Sequence, residues 1–210
     1  IQIPNINHFP TQGQTSGNLG IINVEFIDEV AFFAGGFSSG FGNRLSSIVD
    51  ISLREGSRER FSGQAELNFS GFGISGEGPL AKGKGSWLFS ARRSYLDKLV
   101  QHIDVGTTIA PRYGDMLVKV VYDLTTNHRI SIIGLSADDQ NRAPWDITEE
   151  NQMVYYGDQD IVQKTLGLNW RALWSKNGYS NTSLSVNSSN FDEDFYDVNS
   201  RDQILQNRSN

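Results

Sequence analysis

The chain has 210 residues, 38% of them hydrophobic, and a formal net charge of −6 at pH 7. This acidic balance disfavours nucleic acid as a partner, since that binding relies on basic side chains, and the lack of cysteine excludes disulfides and thiolate metal sites. Mean hydropathy is −0.39, no run reaches the ~18 apolar residues of a membrane-spanning helix, and no amino-terminal stretch resembles a signal peptide.

Three zones follow one another along the chain. Residues 1–25 contain Pro4, Pro10 and polar turn residues, and they are predicted to be irregular. Residues 26–56 place two short apolar strands around a glycine-rich turn. From about residue 60 onward, segments of period 2 at hairpin spacing predict an all-β, antiparallel up-and-down meander without a long helix.

The glycine-rich turn suits a tight chain reversal. Glycine adopts positive φ without steric cost, and four glycines lie close together: Gly35, Gly36, Gly40 and Gly42. The Lys-Ser/Thr ending of a phosphate loop is absent and no helix pattern follows, which argues against phosphate binding. A compact, internally packed unit is one interpretation, and a plain glycine hairpin in a soluble sheet is the other.

The later segments alternate strictly. In residues 61–71 apolar and polar residues alternate over about ten positions, which is the length a tilted membrane strand needs. The same split recurs in residues 116–124, 165–175 and 182–187. Charged residues on the polar faces are candidates to face a water-filled lumen: Glu66, Arg92, Lys119 and Arg171.

Two further patterns favour an outer-membrane barrel over a soluble β-sandwich or β-barrel, although both interpretations stay open. Aromatic residues near predicted strand ends are typical of interfacial girdles: Trp87, Tyr95, Tyr113, Tyr122 and Trp174. Tight turns (81–85, 125–127, 176–179) alternate with long polar loops (99–112, 138–160), as they do in outer-membrane barrels.

The motifs of residues 26–56 occur in a specific order. An acidic-hydrophobic strand, a glycine pair, a turn ending in aromatic-Gly and a second strand follow one another: Asp28-Glu29-Val30, Gly35-Gly36, Phe37-Ser38-Ser39-Gly40-Phe41-Gly42 and Ile48-Val49-Asp50-Ile51-Ser52-Leu53. This order resembles the end of the plug domain in TonB-dependent outer-membrane receptors. Residues 76–80, 90–97 and 111–122 resemble the barrel strands that follow in that family.

The resemblance implies a domain organisation and a function. Residues 1–56 would be the carboxyl-terminal part of a plug domain, and residues 57–210 the first about seven strands of a transmembrane β-barrel of about 22 strands. Because seven strands do not close such a barrel, a fragment of a longer polypeptide is expected. The implied function is active ligand uptake across the cell outer membrane of a Gram-negative bacterium, without enzymatic activity or a cofactor.

The resemblance also implies partners and site residues. The partners would be the TonB energy-transducing complex, acting through a missing amino-terminal part, outer-membrane lipid and an unidentified transported ligand. The plug turn motif would comprise Gly35, Gly36, Gly40, Phe41, Gly42 and Arg44. Many family members have Arg-Gly-Pro where this chain has Ala34-Gly35-Gly36, and Arg44 is a candidate substitute for that arginine.

Other chemistry has weak support in the sequence. His8, His102 and His128 lack metal-ligand spacing and are predicted to be surface or turn residues. Acidic clusters at 138–150 and 192–197 offer oxygen ligands for Ca²⁺, but they lack the EF-hand glycine placement and are predicted to be solvated loop charges. The alternative functions are a soluble extracellular β-sandwich binding module and a lone outer-membrane adhesin or porin-like barrel.

Overall fold

The computed structural model describes residues 1, 3, 5–8, 19–36, 47–68, 71–95, 112–150, 155–176, 178–198 and 204–209. In this part of the chain, ten strands accompany one 3₁₀ turn and one short helix. The elements are a 3₁₀ turn at Val24–Phe26, β1 (Ile27–Phe33), β2 (Ile48–Leu53), β3 (Ser62–Asn68), β4 (Gly71–Leu80), β5 (Gly85–Ser94), β6 (Arg112–Thr125), β7 (His128–Ala143), α1 (Trp145–Glu150), β8 (Tyr155–Ser175), β9 (Gly178–Asp197) and β10 (Ile204–Ser209).

Strands β3 to β10 form one antiparallel sheet in which every strand pairs with its neighbours in sequence. Strands β1 and β2 form a separate antiparallel pair, with Val30 opposite Ile51. The predicted all-β, antiparallel meander is thereby confirmed. The described sheet has eight strands where the sequence pattern indicated about seven, because β10 reads ILQNRS and lacks an alternating apolar face.

The long loop predicted at residues 138–160 is wrong. Strand β7 continues to Ala143 and β8 begins at Tyr155, so the connection covers only residues 144–154 and includes α1. Polar residues pair across the extended strands: Asn141 Nδ2 donates to Gln159 Oε1 at 2.9 Å. Polar composition suggested a loop, whereas cross-strand hydrogen bonds allow polar residues to continue a ladder. The other predicted long loop, residues 99–112, lies outside the described residues except for Arg112.

The connections at the opposite end of the sheet are short, as predicted. Strand β5 follows β4 after four residues, in which Ala81, Lys82 and Gly83 have positive φ. Strand β7 follows β6 after two residues. We call the end of the strands at which these short turns lie the turn end, and the opposite end, which carries α1, the far end.

The sheet has two distinct faces because side chains alternate along each strand. The described residues of the stretch 1–56 pack against one of them, which we call the inner face. Its centre is apolar: Leu88, Leu117, Leu135 and Ala137 pack with Ile21, Ile22 and Phe26. The sequence pattern placed charged residues on this face, and its centre is apolar because it packs against apolar side chains and not water.

Candidate functional site

The candidate site is the interface between the described residues of the stretch 1–58 and the inner face. Residues 5–8 and 19–22 pair with each other there and form what we call the amino-terminal strip. The amide of His8 donates to the carbonyl of Leu19 at 2.8 Å, and the amide of Ile21 donates to the carbonyl of Ile6 at 2.9 Å. This pairing places Ile21 over the apolar centre of the sheet and turns the His8 side chain toward β6 and β7.

His8 lies between two carboxylates of the inner face. Its Nδ1 is 2.6 Å from Asp139 Oδ1 and its Nε2 is 3.1 Å from Asp115 Oδ2. All three residues are buried, His8 at 3% exposure and Asp139 at 1%. The ring of Tyr113 lies 4.8 Å from the imidazole. Arg92 completes the cluster by donating to Asp115 at 3.0 Å and to the carbonyl of Gly20 at 2.7 Å.

This cluster corrects three sequence-based predictions. His8 is not a surface or turn histidine, Asp139 is not a solvated loop charge, and Tyr113 points inward instead of joining an interfacial girdle. His8 lies on the side of the amino-terminal strip that faces the sheet, and Asp139 and Tyr113 are buried beneath that strip, whose position no periodicity in the sequence reveals. The sequence did place Asp115, by the period-2 pattern, and Arg92, as a lumen-facing candidate, on polar strand faces, but it gave no sign that His8 would join them.

The segment that connects β2 to β3 (residues 54–61) is held at the turn end by alternating charges. Arg58 contacts Asp123 at 2.6 Å and Glu55 at 3.0 Å. Arg129 contacts the same two carboxylates at 2.6 and 2.7 Å. These four residues form a closed ring of two guanidinium and two carboxylate groups, which we call the ion ring.

Three further contacts hold this connecting segment. Arg54 pairs with Glu77 of β4, and Lys119 of β6 donates to the carbonyls of Leu53 and Arg54. Gly56 lies directly on β5, since a Cβ added there would stand 2.2 Å from the carbonyl oxygen of a β5 residue, Trp87. Charged and backbone contacts therefore fasten the segment to three different strands.

The four predicted lumen-facing residues all lie on the inner face by register. Arg92 and Lys119 contact residues of the amino-terminal part directly. Glu66 accepts from Gln64, whose amide also donates to Glu25 of the 3₁₀ turn. Arg171 is exposed.

The predicted turn motif lies partly within the described residues. Gly35 has φ +92° and Gly36 has φ +65°, so both adopt the left-handed region that favours glycine. A Cβ at either position would meet no atom within 4 Å, which means that the dihedral angle and not packing requires glycine. Gly40, Phe41, Gly42 and Arg44 lie outside the described residues.

A polar strip covers the inner face of β8 and β9 toward the turn end. Asn169 Nδ2 donates to Asn181 Oδ1 at 2.7 Å and to Ser183 Oγ at 2.8 Å. Further along, Thr165 donates to Asn187 at 2.7 Å. Most of these side chains are exposed, and they present amide and hydroxyl groups to the space over the inner face.

The outer face reverses this polarity. Its exposed side chains form an apolar band across strands β3 to β9: Leu67, Phe72, Ile74, Met116, Leu124, Ile132, Leu166, Leu168, Trp174, Leu184 and Val186. Leu67 is 80% exposed and Leu184 64% exposed. Toward the far end the outer face becomes charged, with Arg93 paired to Asp138 at 2.6 Å and Arg142 to Asp160 at 2.7 Å.

Within the described residues, no group of three or more histidine and carboxylate side chains has a geometry that could hold a metal ion. The same part of the chain contains no helix of the length and hydropathy needed to span a membrane. Comparisons of the chain with protein-family models, curated proteins and solved structures find no match.

Proposed function

We propose that this chain is a portion of a TonB-dependent outer-membrane transporter, in which β3–β10 form part of a barrel wall and residues 1–56 form plug material on its inner face. The observation that carries the proposal is the reversed polarity of the sheet. Soluble monomers rarely expose contiguous apolar patches of this extent, whereas a barrel wall is apolar toward lipid and polar toward its interior.

The dimensions of the apolar band fit a membrane. On β6 the outward residues from Met116 to Leu124 carry no charge. They span about 26 Å along the strand at ~3.3 Å per residue. A tilt of ~35–45° reduces this to roughly 20 Å of depth, close to the ~25 Å apolar band of outer-membrane barrels.

The two borders of the band also fit this orientation. At the turn end, Trp170 and Trp174 lie on the outer face with their ring centroids 5.7 Å apart, and His128 stacks on Trp170. Such amphipathic rings favour the membrane–water interface. At the far end, strands β7 to β9 continue beyond the band with charged outer residues, as extracellular extensions of a barrel would.

The proposal assigns roles to the two faces. Lipid covers the outer band, the far end projects outside the cell, and the turn end faces the periplasm. A transported ligand of unidentified class would pass over the polar strip of β8 and β9 once force from the TonB complex displaced the plug. The chain's own residues would supply hydrogen bonds and steric closure, and we propose no catalytic step.

Spin-label accessibility tests this arrangement directly, because the chain has no native cysteine. Single cysteines replace Leu166, Leu168 and Trp170 on the outer face, or Asn169 and Arg171 on the inner face, in protein folded into phospholipid vesicles. We expect dissolved oxygen to increase the relaxation rate of the three outer labels most. A water-soluble nickel chelate should increase the relaxation rate of the two inner labels most.

The outcome separates the proposed wall from its alternative. Alternation in the expected phase along β8 supports a lipid-facing wall. High nickel accessibility at all five positions, or protein that remains soluble and monomeric without vesicles, would instead favour the soluble β-sandwich module. Labels at Asp158 and Asp194, on the outer face beyond the band, serve as controls and should face water in either case.

A further inference from the structure

We propose that His8 is a protonation-dependent clasp, which holds the amino-terminal strip (residues 5–8 and 19–22) on the inner face at lower pH and releases it at higher pH. The clasp lies on the inner face only. It therefore does not depend on whether lipid or another protein covers the outer face, and it extends beyond the transport role proposed above.

The geometry requires two donors on one imidazole. Both ring nitrogens lie within hydrogen-bond distance of a carboxylate oxygen, at 2.6 Å and 3.1 Å. A neutral imidazole has one N–H and can donate to only one of the two, whereas the imidazolium form donates to both. The protonated ring also places a positive charge between two buried carboxylates, which are otherwise costly to bury.

Within the part of the chain that the structure describes, the groups that face the clasp come from β5, β6 and β7. From β5, Arg92 faces Asp115, and from β6, Asp115 and the ring of Tyr113 face His8. From β7, Asp139 faces it, and the strip itself contributes the carbonyl of Gly20 to Arg92. When His8 loses its proton, it loses one of its two hydrogen bonds to carboxylates and the positive charge that faces Asp115 and Asp139.

The direction of the pKa shift agrees with this geometry. Burial lowers the pKa of His8, but the hydrogen bonds and charges of Asp115 and Asp139 outweigh burial, and the net pKa is raised above its ordinary value. A raised pKa in the closed state means that the stabilisation is complete below the pKa of the released state. It is lost as pH rises through the pKa of the closed state.

Hydrogen exchange measures the opening of the amino-terminal strip, and NMR of the imidazole measures the protonation of His8. Exchange over residues 19–23 reports opening of the strip, because the amide of Ile21 bonds to the carbonyl of Ile6. We expect protection, corrected for intrinsic rates, to fall as pH rises, by about tenfold for each unit by which the closed-state pKa exceeds the open-state value. The carbon resonance of the His8 ring should titrate above ~6.5, the ordinary histidine value.

Three variants make the test specific. His8→Gln, which cannot be protonated, should lower protection at acidic pH and abolish its pH dependence. Asp139→Asn should shift the transition to lower pH. The control His128→Gln, on the outer face, should behave as wild type. A flat protection profile in the wild type, an unchanged profile in His8→Gln, or a His8 midpoint at or below ~6.5 would each overturn the clasp, while the accessibility pattern of β8 would be unaffected.

Discussion

Gly56 shows how one residue permits the close contact between the connecting segment and the sheet. A Cβ at this position would lie 2.2 Å from a backbone oxygen of β5 and 2.8 Å from the attached carbon. Backbone cannot move aside as a flexible side chain can, so the segment itself would have to lift from the sheet. The ion ring and the Lys119 contacts on either side would then lose their geometry.

We therefore expect Gly56→Ala to destabilise the docked segment by about 1–3 kcal/mol, the usual cost of overpacking. Urea unfolding of the micelle-bound protein measures this change. Gly63→Ala is the matched control, since a Cβ there meets its nearest atom only at 3.5 Å. Equal midpoints for the two variants would contradict the close contact.

Gly36 is constrained by its backbone dihedral and not by its neighbours. At φ +65° a β-branched residue is strained, and strain of this kind costs about 1–3 kcal/mol. We expect Gly36→Val to lower stability by that amount and Gly36→Asn to cost less, because asparagine tolerates the left-handed region. Equal unfolding midpoints for the two variants would show that the turn relaxes without cost.

Leu168 and Asn169 are adjacent on β8 but lie on opposite faces. If the outer face meets lipid, Leu168→Arg should cost about 2–4 kcal/mol near the bilayer midplane. Asn169→Arg should cost far less, since this side chain lies on the exposed polar strip. Reversible unfolding from vesicles measures both variants, and similar tolerance at the two positions would reject the lipid-facing orientation.

At the scale of elements, period 2 indicated the faces of the strands but not what covers them. The outward set Met116, Val118, Val120, Tyr122 and Leu124 was predicted correctly, because alternation follows from strand geometry alone. The partners of the inner set could not be predicted in this way. His8 bonds to residues 107 and 131 positions away, and such distant pairing has no local signature.

Charge composition was misleading where strands run beyond the apolar band. Asp138 and Asp160 were assigned to a loop because acidic residues usually lie in solvated turns. In the structure each has an arginine partner on the same sheet face, Arg93 and Arg142 respectively. The extension of β7 and β8 thus depends on cross-strand pairs, and local sequence patterns do not reveal such pairs because their members are far apart in the chain.

The ion ring has four contacts, of which Arg58–Asp123 and Arg129–Glu55 link the connecting segment to β6 and β7. Because its members are about one-third exposed, each contact is expected to contribute about 1 kcal/mol or less. Arg58→Gln and Arg129→Gln should therefore each have small effects. Their double variant should lose more than their sum, since either arginine alone still contacts both carboxylates.

Salt provides an independent check on the ion ring. At ~1 M salt the Debye length is about 3 Å, so the difference between wild type and double variant should shrink. Lys164→Gln, a change at an exposed residue of β8 that pairs with Ser136 and lies away from the ring, is the control and should be nearly neutral. Strict additivity of the two single variants, or no dependence on salt, would mean that the four groups act as separate surface pairs.

At the scale of the whole molecule, the described sheet has two features that favour association. Its terminal strands β3 and β10 each have one edge without a partner in the described sheet, and such edges invite pairing with other chains. The apolar band adds large exposed residues on every strand from β3 to β9 except β5. The described residues of the stretch 1–56 pack on the inner face and leave this band exposed.

We therefore expect the 210-residue chain to associate in detergent-free buffer and to become monodisperse in micelles. Light scattering after size-exclusion chromatography measures this difference. Replacing outer residues Leu166, Leu168 and Val186 by serine should reduce detergent binding, whereas replacing inner residues Asn169, Asn181 and Ser183 by alanine should leave it unchanged. A stable, detergent-free monomer with a cooperative thermal transition would count against a membrane wall, because the exposed band would then be compatible with water.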